Sequence, residues 1–143
     1  MIAGVDRRQA KRLDVQLAAD GTEPLEITRT RSWHYSNFNL TALTRLAMIG
    51  QHVGVNLWTY QTPSGGSILK SIDYLIPAAT GAAAWTAPEL DFQAFAAIDL
   101  VHVAAEHGDK AAAAAVSKVP APPGGDMFPL APAPEQLDTV VTG

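Results

Sequence analysis

The sequence predicts an all-α domain, and three observations carry that prediction. Apolar residues recur at helical spacing in the middle of the chain and again towards its end. No stretch alternates apolar and polar residues strongly enough to compete as a strand. Turn formers stand between the periodic stretches, notably Asp20-Gly21, Pro63-Ser64-Gly65-Gly66 and Gly81.

The elements follow in order. Residues 5–19 are rich in Arg, Lys, Gln, Leu and Ala, all good helix formers, and are expected as a first helix. Residues 20–24, Asp-Gly-Thr-Glu-Pro, form a turn. Residues 25–36 are expected to be irregular or extended. Residues 37–53 give the clearest helix, with Leu40, Leu43, Leu46, Ala47 and Val53 on one stripe. Thr41, Arg45 and His52 fall opposite that stripe, which places His52 in solvent. Gly54 is its stop. Ser67 is placed to cap a helix over 67–80, where Ile68, Ile72, Leu75 and Ala79 share a face. Pro77 is expected to kink or end it, with Gly81 next. Asp91 is positioned to cap a helix reaching about residue 107, with Phe95, Ile98, Val101 and Ala105 facing one way. An Ala-rich stretch, 109–118, makes a short further helix. Six of the ten prolines lie between residues 120 and 134. The expected division is therefore a helical body, 1–119, and an extended Pro-rich tail, 120–143.

Composition narrows the function. The 143 residues are 48% hydrophobic, enough for one domain with a core. The net charge of −4 gives no field that would gather nucleic acid. The charge is uneven, because residues 1–45 hold seven of the ten Lys and Arg but only five of the fourteen Asp and Glu. A polyanion is drawn to that first part. With no cysteine there are no disulfides and no thiolate metal sites. No segment has the length and apolarity of a membrane span. Residues 1–8 carry charges ahead of any apolar run and do not read as a signal peptide.

Chemistry concentrates in residues 29–40, Arg-Thr-Arg-Ser-Trp-His-Tyr-Ser-Asn-Phe-Asn-Leu. Arg29 and Arg31 have the planar fork that holds a carboxylate through two parallel hydrogen bonds. His34 and Tyr35 are proton-transfer groups. A phenol gives up its proton reluctantly, so a tyrosine base needs cations beside it, and the two arginines supply them. Read blandly, the same residues are a solvated loop with an aromatic anchor. Glu26 is expected to orient an arginine. Trp33, Trp58 and Tyr60 are candidates for stacking on sugar rings, with core packing preferred for Trp58. His102 and His107 lie five apart on one helix, which does not match metal-ligand spacing.

Residues 31–40 resemble the central motif of the alginate lyase-like polysaccharide lyases, which include alginate and glucuronan lyases. The resemblance continues in His52-Val-Gly-Val-Asn-Leu-Trp58 and Lys70-Ser-Ile-Asp-Tyr-Leu-Ile-Pro77, and is preceded by Pro24-Leu-Glu26. It covers roughly residues 5–108 and is most specific over 23–77. It implies a partial α/α toroid of antiparallel helical hairpins. It also implies β-elimination on an anionic uronate polymer, without metal or other cofactor, and a periplasmic or secreted setting. Nucleic acid and membrane are not expected partners. By the same resemblance, Arg29 and Arg31 match the carboxylate-binding arginines, Tyr35 matches the acid/base tyrosine, and His34 stands beside it. Trp33 joins the substrate-binding set. In the alginate-specific relatives the reactive tyrosine lies three positions further on, where this chain has Phe38, which turns the expectation to glucuronan-like or other polyuronates. The family also carries an upstream Asn–His pair that nothing before Arg29 matches. The chain is thus expected to be the C-terminal part of a toroid, partnered by N-terminal hairpins of the same domain and of little activity alone. A non-catalytic helical module binding acidic glycans is the alternative.

Overall fold

The computed structural model describes residues 7–126, and among them every regular element is helical. The order is α1 (Arg7–Gln16), α2 (Pro24–Ile27), α3 (Ser32–His52), α4 (Ile68–Thr80), a 3₁₀ turn (Ala94–Ala97) leading into α5 (Ile98–Glu106), then α6 (Lys110–Ala115) with a closing 3₁₀ turn (Val116–Lys118). The all-α expectation holds. The expected tail lies largely beyond residue 126, outside the described residues.

The core forms where the periodic faces meet. Leu13 and Leu17 from α1 and its exit join Trp33, Leu40, Leu43 and Ala47 of α3. Ile68, Ile72, Leu75 and Ala79 of α4 pack against Ile98, Leu100, Val101 and Ala104 of α5, with Ala112 and Ala115 of α6 closing the cluster. In sequence terms, α3 packs on α4 and α5, and α4, α5 and α6 pack on one another. The α4 face was therefore read correctly. The α3 stripe was read correctly through Ala47 but not at Val53, which caps the helix and is 72% exposed. His52 is half-buried, not exposed, and its Nδ1 is sealed from solvent without a hydrogen bond.

Local signals set several boundaries as expected. The Ser67 hydroxyl accepts from the Lys70 N–H (3.1 Å), and Gly81 closes α4 in the left-handed region at φ 79°. Pro77 does not end α4. It sits in the last turn, and the helix runs on to Thr80. Asp109, not singled out by the sequence, caps α6 by accepting from Ala111 N–H (3.3 Å). Asp91 does not cap α5. Its carboxylate takes the Gln93 amide instead (3.1 Å), and the chain enters α5 three residues later through the 3₁₀ turn.

The largest difference is at α3, which starts at Ser32, five residues before the expected position. The first turn has no cap of its own, because Arg31 occupies the N-cap position without a side-chain bond. The loop between α4 and α5 supplies it. Pro88 carbonyl accepts from Ser32 N–H (2.9 Å) and from the Ser32 hydroxyl, and the Glu89 carboxylate accepts from His34 N–H (3.1 Å). A negative group over a helix N-terminus is favourable for both its hydrogen bonds and the helix dipole.

Gly21 fixes how the turn after α1 meets α4. It has φ +90°, and a Cβ there would stand 2.8 Å from the Lys70 carbonyl oxygen. Glycine alone meets both conditions without strain.

Candidate functional site

Of the segment expected to be irregular, residues 25–36, the start belongs to the short helix α2 and the end is the first turn of α3, which places His34 and Tyr35 on a helix and Arg29 and Arg31 on the approach to it. A helix fixes side-chain directions better than a loop does. The Arg29 guanidinium lies over the Tyr35 ring, its Cζ 3.5 Å from the centroid. That distance is a close cation–π contact. Arg29 also reaches back to Glu26 at 3.3 Å, so Glu26 orients this arginine. The His34 ring meets Tyr35 edge-on, centroids 5.4 Å apart. Arg29, Tyr35 and His34 thus share one surface. Tyr35 is half-buried and His34 is exposed.

Arg31 has a separate partner. Its Nε lies 3.9 Å from Glu89, the carboxylate that also takes the His34 N–H. The contact runs through Nε rather than the terminal pair of nitrogens, and the side chain keeps 41% exposure. Glu89 is nearly buried, which pushes its carboxyl up. The backbone N–H groups of His34, Asp91, Leu90 and Trp33 outweigh that and hold it below the usual carboxylate range. Glu89 is therefore a fixed negative charge that caps α3 and steadies Arg31 together.

Trp33 does not fit the sugar-stacking expectation. It is 1% exposed, its Nε1 donates to the Gln93 carbonyl (2.8 Å), and its ring is covered by Trp85 and Phe92. It is the hydrophobic floor beneath the site. Trp58 is likewise core, 4% exposed and stacked on His107 at 3.7 Å. Tyr60 is tied to α1 through a 2.8 Å hydrogen bond from its hydroxyl to Asp14. Phe38 stands one turn beyond Tyr35 and is 69% exposed, without a titratable group.

Glu23 was not singled out by the sequence. It lies just ahead of α2, 3% exposed, and accepts from the Asn39 amide at 2.8 Å. Burial raises its carboxyl to about 8, with the nearby Glu26 charge adding to that and the Asn39 and Ser36 hydrogen bonds opposing it. It is a neutral acid at pH 7, packed between α2 and α3 below the arginine cluster. Its only sequence signal is a glutamate immediately before a proline-initiated turn, which does not reveal burial.

His102 bonds to Asp126 (2.7 Å) while His107 bonds to the Val103 carbonyl (2.8 Å), so the two do not share a ligand position. Among the described residues no three His, Asp or Glu side chains are grouped to hold a metal ion. Nor is any helix there long and apolar enough to cross a membrane.

A groove of about 560 Å³ opens beside Glu89, lined also by Trp85, Phe92, Ala78, Ala83 and Ala87. With the site in view, comparison with known proteins shows that the model of the family described as alginate lyase aligns with residues 1–85, which include the whole cluster. No curated protein matches the chain.

Proposed function

Since the chain belongs to the alginate lyase family, we propose that its α3 cluster serves a polysaccharide lyase reaction, the β-elimination of a uronate polymer. The observation that carries this reading is Arg29 lying on the Tyr35 ring with His34 against its edge, all on one surface. Arg31 and Arg29 hold the uronate carboxylate. Tyr35 as base removes the C5 proton, a C4–C5 double bond forms as the glycosidic C4–O bond breaks, and Tyr35 as acid returns the proton to the leaving oxygen. Removing that proton builds enolate-like charge next to the carboxylate, where fixed guanidinium groups stabilise it. Arg29 also sets positive charge beside the phenol where charge develops as its proton leaves. Phe38 at the alginate-type tyrosine position favours glucuronan-like polymers. The helical hairpins around the cluster form part of an α/α toroid in this reading, and the working compartment is periplasmic or extracellular.

Binding and elimination are measured separately on a panel of polyuronates. Unsaturated uronate ends absorb in the ultraviolet and report elimination. Tyr35→Phe is expected to abolish that signal and keep most binding, since it removes the hydroxyl and leaves the ring under Arg29. Arg31→Ala is expected to weaken both. Binding without any new ultraviolet absorbance would instead identify a non-catalytic module for acidic glycans. Elimination at the parent rate by Tyr35→Phe would place the acid/base elsewhere.

A further inference from the structure

The groove beside Glu89 has no role in the reaction just described, yet it adjoins the cluster through a single side chain. The same Glu89 carboxylate lines the groove, contacts Arg31 and takes the His34 N–H. At about 560 Å³ the groove falls within the range of small-molecule sites, about 300–1,000 Å³. Its walls are two aromatic rings and a set of alanines, and among the described residues Glu89 is the one charged residue in its lining.

The aromatic wall is built rigidly. Trp85 Nε1 donates to the Ser32 hydroxyl (2.8 Å), and its ring meets Trp33 (5.0 Å) and Tyr74 (5.8 Å) edge-on. Phe92 packs on the buried Trp33 at 4.7 Å and still leaves 42% of its surface exposed. A fixed, partly exposed ring binds a flat apolar ligand face without an ordering cost. A carboxylate is repelled here, because Glu89 already holds negative charge at the edge. A uronate unit therefore cannot turn its carboxylate into the groove, although it is drawn to the arginines on the other side of Glu89.

We propose that this groove is a second sugar-binding subsite, where Phe92 and Trp85 stack on the uncharged face of the unit adjoining the one gripped by Arg29 and Arg31. The inference rests on the uronate-binding reading above. It divides recognition in two, with charge read by the arginines and chain length read by the groove.

The test uses the full chain, titrated with monomeric glucuronate, glucuronate disaccharide and the neutral cellotetraose, followed by tryptophan fluorescence. The disaccharide, whose second unit reaches the groove, is expected to bind about tenfold more tightly than the monomer, the scale of one added aromatic contact with its buried area. Phe92→Ala should erase that length advantage and leave monomer affinity within about twofold. Phe92→Leu keeps apolar volume on Trp33 but lacks the ring. It guards against a folding defect and should also lose most of the advantage. Arg31→Ala should weaken both glucuronates equally. If both Phe92 variants keep the full length advantage, the groove proposal is overturned and the arginine clamp stands. If only cellotetraose binds, and Phe92→Ala removes that binding, the groove is a sugar site and the clamp is wrong. If none of the three binds, both ideas fall.

Discussion

Glu23→Gln should make this protein more stable at alkaline pH. Glu23 is 3% exposed, and burial lifts its carboxyl from the usual 4.5 to about 8. A carboxyl whose folded value is raised contributes stability that is fully present below the unfolded value and is lost as pH rises through the folded one. The loss for Glu23 therefore runs from about pH 4.5 to about pH 8. At 1.36 kcal/mol per unit, the span amounts to roughly 5 kcal/mol. Water entry and shifts of Asn39 and Glu26 reduce it, so a measured change of about 2–4 kcal/mol is expected. Glutamine cannot ionise, yet its carbonyl still accepts from the Asn39 amide and its own amide replaces the donating hydroxyl. Urea unfolding of both proteins at pH 5 and pH 9 isolates the effect. Parent and variant should be similar at pH 5, with the variant clearly more stable at pH 9. A parent and variant that lose the same stability between those pH values would refute the argument, because Glu23 would then be ionised in the folded protein or solvated on its own.

Three further outcomes follow from the same packing. Asp73 on α4 is raised to about 7 by burial, then by the hydrogen bond and charge of Asp109, and each residue buries one carboxylate oxygen without another partner. Asp73→Asn should flatten the stability loss between about pH 4 and pH 7 while Asp109→Ala disturbs the α6 cap, as thermal unfolding across that range would reveal. Gly21→Ala should cost at least about 1–2 kcal/mol, since φ +90° is unfavourable for alanine and its Cβ would press on the Lys70 carbonyl; an unchanged denaturation midpoint would contradict the close approach. Glu89→Ala should lower stability by about 1–2 kcal/mol through loss of the α3 cap. That stability belongs to a depressed carboxyl, so the difference between parent and variant should vanish on acidification below the usual carboxylate range.

Much of the fold was legible because its determinants are local. Ser67 and Gly81 begin and end α4 by bonding backbone groups within three residues, so spacing alone reveals them. The buried face of α4 follows from the helical period of Ile68, Ile72, Leu75 and Ala79. The density of Arg, His and Tyr over residues 29–35 marks the candidate site, and Glu26 pairs with an arginine as expected.

What remained hidden depends on groups far apart in the chain. The early start of α3 is set by Pro88 and Glu89, some 55 residues away, and no local pattern encodes that cap. Trp33 looked like a sugar platform because an aromatic residue just after two arginines gives no sign of which way it faces. The loop from Trp85 to Gln93 folds over it and makes it core. Asp91 was misread as a cap because a nearer competitor, the Gln93 amide, takes its carboxylate. The acidity of Glu23 and the groove beside Glu89 belong to the same class. Period and capping residues specify which helices form. Only the packed structure decides which charges lose their water, because desolvation is a property of neighbours brought together from across the chain.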